Sequence, residues 1–132
     1  MTARILEHEA LELGIAFRKM GSEVAVVEAA DTILPSYDKE MIRPVQMWLK
    51  KNKVALHAGC KAKGAVEEGG QTYLEFEDAK GETQRIEADK ILVAVGRKPV
   101  TEGWGLENMG VDMDGPFVKI DHQCRTAMRG VY

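Results

Sequence analysis

Residues 11–31, LELGIAFRKMGSEVAVVEAAD, set a helical stripe, a glycine, an apolar run and an acid in that order. A helix with one apolar stripe, followed across a tight turn by a short run apolar on both faces, is half of a parallel βαβ unit. Glu23-Val-Ala-Val-Val-Glu28 is too short for a helix and fits a buried parallel strand. In a nucleotide-binding unit the acid at that strand's end takes the adenosine ribose, because one carboxylate accepts from both ribose hydroxyls. Glu28 occupies that place.

Such a unit opens with a strand and a G-x-G-x-x-G loop ahead of the helix. The corresponding stretch here, Ile5-Leu6-Glu7-His8-Glu9-Ala10, contains no glycine. Apolar residues at Ile5, Leu6, Ala10, Leu11, Leu13, Ile15, Ala16 and Phe17 extend the helical stripe upstream, and nothing between Thr2 and Leu11 breaks a helix. The spacing predicts one helix over residues 3–20, ended by Gly21, in place of the first strand and phosphate loop. Gly14 interrupts that helix and is expected to mark the close approach of another backbone. Glu7, Glu9 and Glu12 put negative charge where helix-end N–H groups would meet a pyrophosphate, which repels phosphate rather than cradling it.

Downstream, Pro35 closes a loop, and Ser36 or Asp38 is placed to cap a second helix running to about Asn52. Its expected buried face holds Met41, Ile42, Val45, Trp48 and Leu49, with Pro44 early enough to be tolerated. Val54–Ala58 reads as a strand. Lys61–Glu68, Gln71–Glu77 and Glu82–Ala88 alternate in polarity and are joined at Gly69-Gly70 and Asp78-Ala-Lys-Gly81, which predicts a three-stranded antiparallel meander with one solvated face. Lys90–Val95 returns to a continuous apolar strand, ending at Gly96-Arg97-Lys98-Pro99. From Val100 the chain is loop-rich, with one strand expected at Phe117–Ile120.

Composition narrows the function classes. A net charge of −3 gives no support to nucleic-acid binding. No apolar run approaches the roughly 18 residues that span a bilayer, and MTARILEHEA lacks the apolar core of a signal peptide, so no membrane partner and a cytoplasmic location are expected. Cys60 and Cys124 are spaced as neither a metal knuckle nor a redox pair and read as separate reduced thiols, Cys60 as a buried small hydrophobe. His8, His57 and His122 offer no ligand spacing, so no metal is expected. Trp48 and Trp104 read as packing residues, and Arg97 and Lys98 as a solvated loop.

The segments LELGIAFRKMGSEVAVVEAADTILPSYDKEM, ILVAVGRKP, TEGWGLENMGV and IDHQCRTAMRGVY, collinear from Ala10 to Tyr132, resemble the dihydrolipoyl dehydrogenase family of flavin-dependent pyridine nucleotide–disulfide oxidoreductases. The resemblance implies an α/β fold: a truncated Rossmann-like NAD-binding domain over residues 1–99, its first strand and glycine loop missing. Residues 100–132 then form a loop-rich tail like the link back to the FAD domain, and the family pattern continues from there into an Ile-Gly-Asp segment. It implies cofactor contacts at four positions. Glu12 matches the glutamate on the nicotinamide side of NAD, Glu28 the ribose acid, Ala62 the residue whose backbone meets adenine, and Gly96 the glycine ending the last strand. Ala10 matches the third fingerprint position, and His8 and Glu9 replace residues that lie near the flavin. An acid at Glu28 implies NAD rather than NADP.

The FAD fingerprint, the redox Cys-x4-Cys and the His–Glu base of the family have no counterpart in these 132 residues. The expectation is a fragment or remnant of a dihydrolipoyl dehydrogenase-like oxidoreductase, without turnover by itself and with no catalytic residue of its own. The alternative is a non-catalytic oligomerising or binding module built on the same scaffold. In the family the first strand lies between the Glu23–Glu28 and Lys90–Val95 strands, so its loss would leave two bare apolar edges and favour a homo-oligomer.

Overall fold

The computed structural model describes residues 2–5, 8–96 and 98–132, which fall into two compact units, Met1–Gly96 and Arg97–Tyr132. In the first, β1 (Thr2–Ile5), α1 (His8–Lys19), β2 (Ala25–Val27), α2 (Lys39–Lys51) and β3 (Ala55–His57) alternate. They are followed by β4 (Lys61–Glu68), β5 (Gln71–Glu77), β6 (Thr83–Glu87) and β7 (Ile91–Ala94). A four-stranded parallel sheet has the order β3-β2-β1-β7, and β4-β5-β6 form an antiparallel sheet.

The first strand is present. Residues expected to extend α1 instead form β1, paired Thr2 to Ala25 on one side and Thr2 to Ile91 on the other. The helix reading rested on a local stripe, whereas the strand is fixed by two non-local partners. β2 and β7 each have a row of N–H and C=O groups that only an intervening strand satisfies, and that pairing outweighs weak helix propensity over four residues. The two edges from which self-association was inferred are therefore not bare. Leu6 and Glu7, and with them the negative charge assigned to Glu7, lie outside the described residues.

Alternation along the strands divides the core in two. Val24 and Val26 face the helices with Leu11, Ile33, Ile42, Leu49 and Val54. Val27 faces the other way, onto Cys60, Leu74 and Phe76 of the meander. β2 is thus buried on both faces, as its unbroken apolar sequence requires. Along β7, Leu92 and Ala94 pack on the helix side and Ile91 on the meander side, while Val93 is 63 % exposed.

α1 ends in a capped turn: the Gly21 N–H bonds the Arg18 carbonyl and the Ser22 N–H that of Phe17, with Gly21 in the left-handed region. Among the described residues the close backbone approach expected at Gly14 is not seen: a Cβ there would meet the Val24 side chain at an ordinary 3.6 Å. α2 starts at Asp38 through its backbone carbonyl, with no side-chain cap. Its inner face holds Ile42 and Leu49 with Val45 and Trp48 beside them, and Lys19 lies over the Trp48 ring. Met41, expected inside, is 62 % exposed, because the stripe set by Ile42, Val45 and Leu49 turns it outward.

The second unit has a 3-10 turn at Leu106–Asn108 and a small hairpin of β8 (Met113–Asp114) and β9 (Phe117–Val118), shorter than the strand expected there. Trp104, expected to pack, is 59 % exposed, its indole N–H bonding the Val100 carbonyl. Asp121 organises the last turn: its carboxylate accepts the N–H groups of Gln123 and Arg125 and pairs with the Arg125 guanidinium. Those bonds hold its carboxyl below the usual range. Among the described residues no helix is long and apolar enough to cross a membrane.

Candidate functional site

The carboxyl ends of parallel strands are where open α/β sheets collect ligand groups, since the loops there splay apart. β2 ends in Glu28, the one buried charged residue among those described, at 2 % exposure. A buried carboxylate needs donors. The Ala30 N–H supplies one, 2.7 Å from the carboxylate oxygen Oε1.

The backbone around Glu28 is laced to the end of β3. Its N–H bonds the His57 carbonyl at 2.8 Å, and its carbonyl accepts the Cys60 N–H at 2.8 Å. Beside that pair, the Gly59 N–H bonds the Ala30 carbonyl. Gly59 has φ 67°, a left-handed conformation that glycine takes without cost. The sequence marked the acid but not these partners. The available signal was a glycine directly after a short strand, at the spacing where two parallel strand ends must be tied.

Under this lacing lies the meander-side core. The His57 ring packs tilted on Phe76 with 5.2 Å between centroids, and burial pushes its imidazole below its ordinary range. Cys60 is buried with its thiol on the Ala58 carbonyl, the place expected of a small hydrophobe, and burial raises its pKa. Ala62 pairs across from Phe76 and packs in the same cluster, just before a register shift in β4.

Of the four positions singled out in the sequence, Glu28 and Ala62 are thus linked through Cys60. Glu12 stands exposed on α1, a separate element. Gly96, exposed at φ 117°, lies beyond β7, which β1 separates from β2 in the sheet. Arg97 lies outside the described residues, and Lys98 is exposed. No group of three or more His, Cys, Asp or Glu among the described residues is disposed to hold a metal ion.

The sequence profile of the pyridine nucleotide-disulphide oxidoreductases matches residues 9–132. Among curated proteins, dihydrolipoyl dehydrogenase of Pseudomonas aeruginosa is 52 % identical over 122 residues, and that of Bacillus subtilis 41 % over 123. Each alignment takes in 92 % of this chain, but the chain spans only 25 % and 26 % of those two relatives' lengths. Among solved structures, the HOCl-induced flavoprotein disulfide reductase RclA of Escherichia coli superposes with TM-score 0.83 at 20 % identity, covering 99 % of this chain and 29 % of that one. Thioredoxin reductase of T. acidophilum gives 0.82 at 20 % identity, covering 99 % and 41 %. At that identity the two structures establish the fold alone.

Proposed function

Because the chain belongs to the pyridine nucleotide-disulphide oxidoreductase family, we propose that it is the NAD-domain portion of a dihydrolipoyl dehydrogenase-type flavoprotein, with Glu28 as its adenosine-ribose acid. The observation that carries this reading is a buried carboxylate at the carboxyl end of a central parallel strand, held by the Ala30 N–H, in a chain 52 % identical to such an enzyme. The whole enzyme's reaction would take two electrons from a dihydrolipoyl dithiol through a protein disulfide and FAD to NAD+. The dithiol closes to a disulfide, and the products are NADH and a proton.

The residues fit one end of a dinucleotide better than the other. Glu28 has the chemistry and position for a ribose diol, although at 2 % exposure it meets one only by displacing its cover. Ala62 brings β4 backbone near the same strand end through Cys60. The stretch from Ile5 to Ala10 offers no glycine backbone to a pyrophosphate, so no step is assigned through NAD in this chain.

Residues 1–132 alone are expected to produce no NADH from dihydrolipoamide and NAD+, measured by the rise in NADH absorbance. Turnover above the no-protein control overturns that expectation. A second measurement addresses Glu28 directly: adenosine should perturb amide signals of Ala30, Gly59 and Cys60 more than 2′-deoxyadenosine does. Equal responses to the two nucleosides would remove the ribose role.

A further inference from the structure

Resting on the reading of Glu28 as a ribose acid, we infer that residues 29–34 form a strap fastened to that carboxylate, latched by Ile33 and hinged at Leu34, and that a ribose is admitted when the strap opens.

The chain leaving β2 is pinned at three points before α2. Ala30 is the first, and it is held on both sides: its N–H donates to the Glu28 carboxylate at 2.7 Å, and its carbonyl accepts the Gly59 N–H at 2.8 Å. Because both bonds belong to one residue, a motion that carries Ala30 away from the end of β3 also uncouples it from the carboxylate. Ile33 is the second point, 1 % exposed with its side chain in the helix-side core. The third is a turn in which the Leu34 carbonyl accepts the Tyr37 N–H. Between the first two, Asp31 is exposed and the Thr32 hydroxyl accepts a long, exposed bond of 3.5 Å from the Gln46 amide.

Leu34 stands at the boundary between strap and turn. Its φ is 51°, in the left-handed region, where the Cβ of an ordinary side chain crowds the carbonyl that follows. That angle is a rotation about the Leu34 N–Cα bond, so residues 29–33 lie on one side of it and the carbonyl held by Tyr37 on the other. Turning it to an ordinary negative value relieves the crowding, draws Ile33 from the core and lifts Ala30 off its two bonds. The closed form is therefore held by a buried side chain and two hydrogen bonds, against a strain that opening releases. Opposed terms on one short segment make a two-state element. Glu28, 2 % exposed with the strap closed, then meets a ribose with an affinity reduced by the fraction of chains that are open.

The test is amide hydrogen exchange of the full chain, read at Ala30 and Gly59, with Val26 and Leu74 in the middle strands of the two sheets as internal standards. Ala30 and Gly59 should exchange together, at least about tenfold faster than the standards. Ile33→Ala should speed both by about tenfold or more, and Ile33→Val, should the first variant not fold, by about twofold or more. Exchange at Ala30 and Gly59 no faster than the standards, or unmoved while the standards accelerate, overturns the strap. Leu34→Gly and Leu34→Ala remove nearly the same packing, but only glycine removes the strain, so exchange at Ala30 should be about fivefold or more slower with glycine. Equal rates overturn the hinge. Calorimetric titration with adenosine reads the gating: its affinity should rise in Ile33→Ala by the same factor as the exchange. Equal affinities in the two chains overturn the gating, whereas no binding to either overturns the ribose reading of Glu28 and leaves the strap standing on its exchange.

Discussion

β1 and β2 lie side by side in one parallel sheet and end at the same side of it, yet they end in different chemistry. β2 runs into an acid whose carboxylate, N–H and carbonyl are all bonded within the loop and to the end of β3. β1 runs into the sequence Leu6-Glu7 and a helix whose first turns carry acids. Place in the sheet is set by backbone pairing and tolerates many side chains. The ligand a strand end can bind depends on a few residues beyond it, and those can change while the pairing survives.

The comparison breaks most severely if β1 itself is removed. A chain lacking residues 1–5 leaves β2 and β7 with unsatisfied facing edges in the middle of the sheet. It should lose its cooperative melt and self-associate in sedimentation, whereas the full chain has no such internal edges. An unchanged melt would mean that β1 contributes little, and that the sheet closes by pairing β2 with β7. The support under the β2 end comes next. Phe76, 2 % exposed beneath His57 and beside Val27 and Cys60, should cost about 3–5 kcal/mol as Phe76→Ala in urea unfolding.

Smaller effects sharpen the contrast at single residues. Glu28→Ala leaves the Ala30 N–H without its carboxylate acceptor and should destabilise by about 1–3 kcal/mol. Glu28→Gln keeps an acceptor there and should cost less. The same substitution at exposed Glu12 should stay within about 0.5 kcal/mol. Gly59→Ala should cost about 1–2 kcal/mol, because a Cβ meets only ordinary contacts, Asp31 at 3.5 Å and Ala79 at 3.7 Å, but the backbone at φ 67° disfavours it. The loss should match that of a loop glycine in open space at similar φ, such as Gly69 at 61°, and a larger loss at Gly59 would show that the added Cβ also disturbs the lacing.

The same two strand ends show how much was legible in the sequence. Val24–Val27 and the meander were readable because their patterns are local: an unbroken apolar run, strict alternation, glycine-marked hairpins. Glu28 was readable because it directly succeeds such a run. β1 was not, since Thr-Ala-Arg-Ile has no strand signature and Ile5 and Leu6 continue a helical stripe. Its conformation is decided by residues 25–27 and 91–94. The Ala30 and His57 bonds around Glu28 were hidden for a related reason: both engage backbone groups of those residues, which side-chain identity does not report.

His57 provides the finest probe of how firmly the β2 end is built, because its carbonyl holds the Glu28 N–H while its ring packs on Phe76. Burial disfavours the imidazolium, so the folded pKa lies below the ordinary value near 6.5. The unfolded chain then binds more protons between the two values. Stability is full above the unfolded pKa and is lost as pH falls toward the folded one. Urea midpoints should therefore decline as pH falls below about 7, and His57→Phe, which keeps a ring on Phe76, should decline less. Asp78 and Asp121 act in a lower window. Both carboxyls are held down by hydrogen bonds in their turns, so their contributions are present above the ordinary carboxylate pKa and are lost below it. Parallel curves for the wild type and His57→Phe above that window would mean that the imidazolium is tolerated against Phe76. The β2 end would then be looser than its hydrogen bonds suggest, and a ribose could displace the cover over Glu28 at less cost.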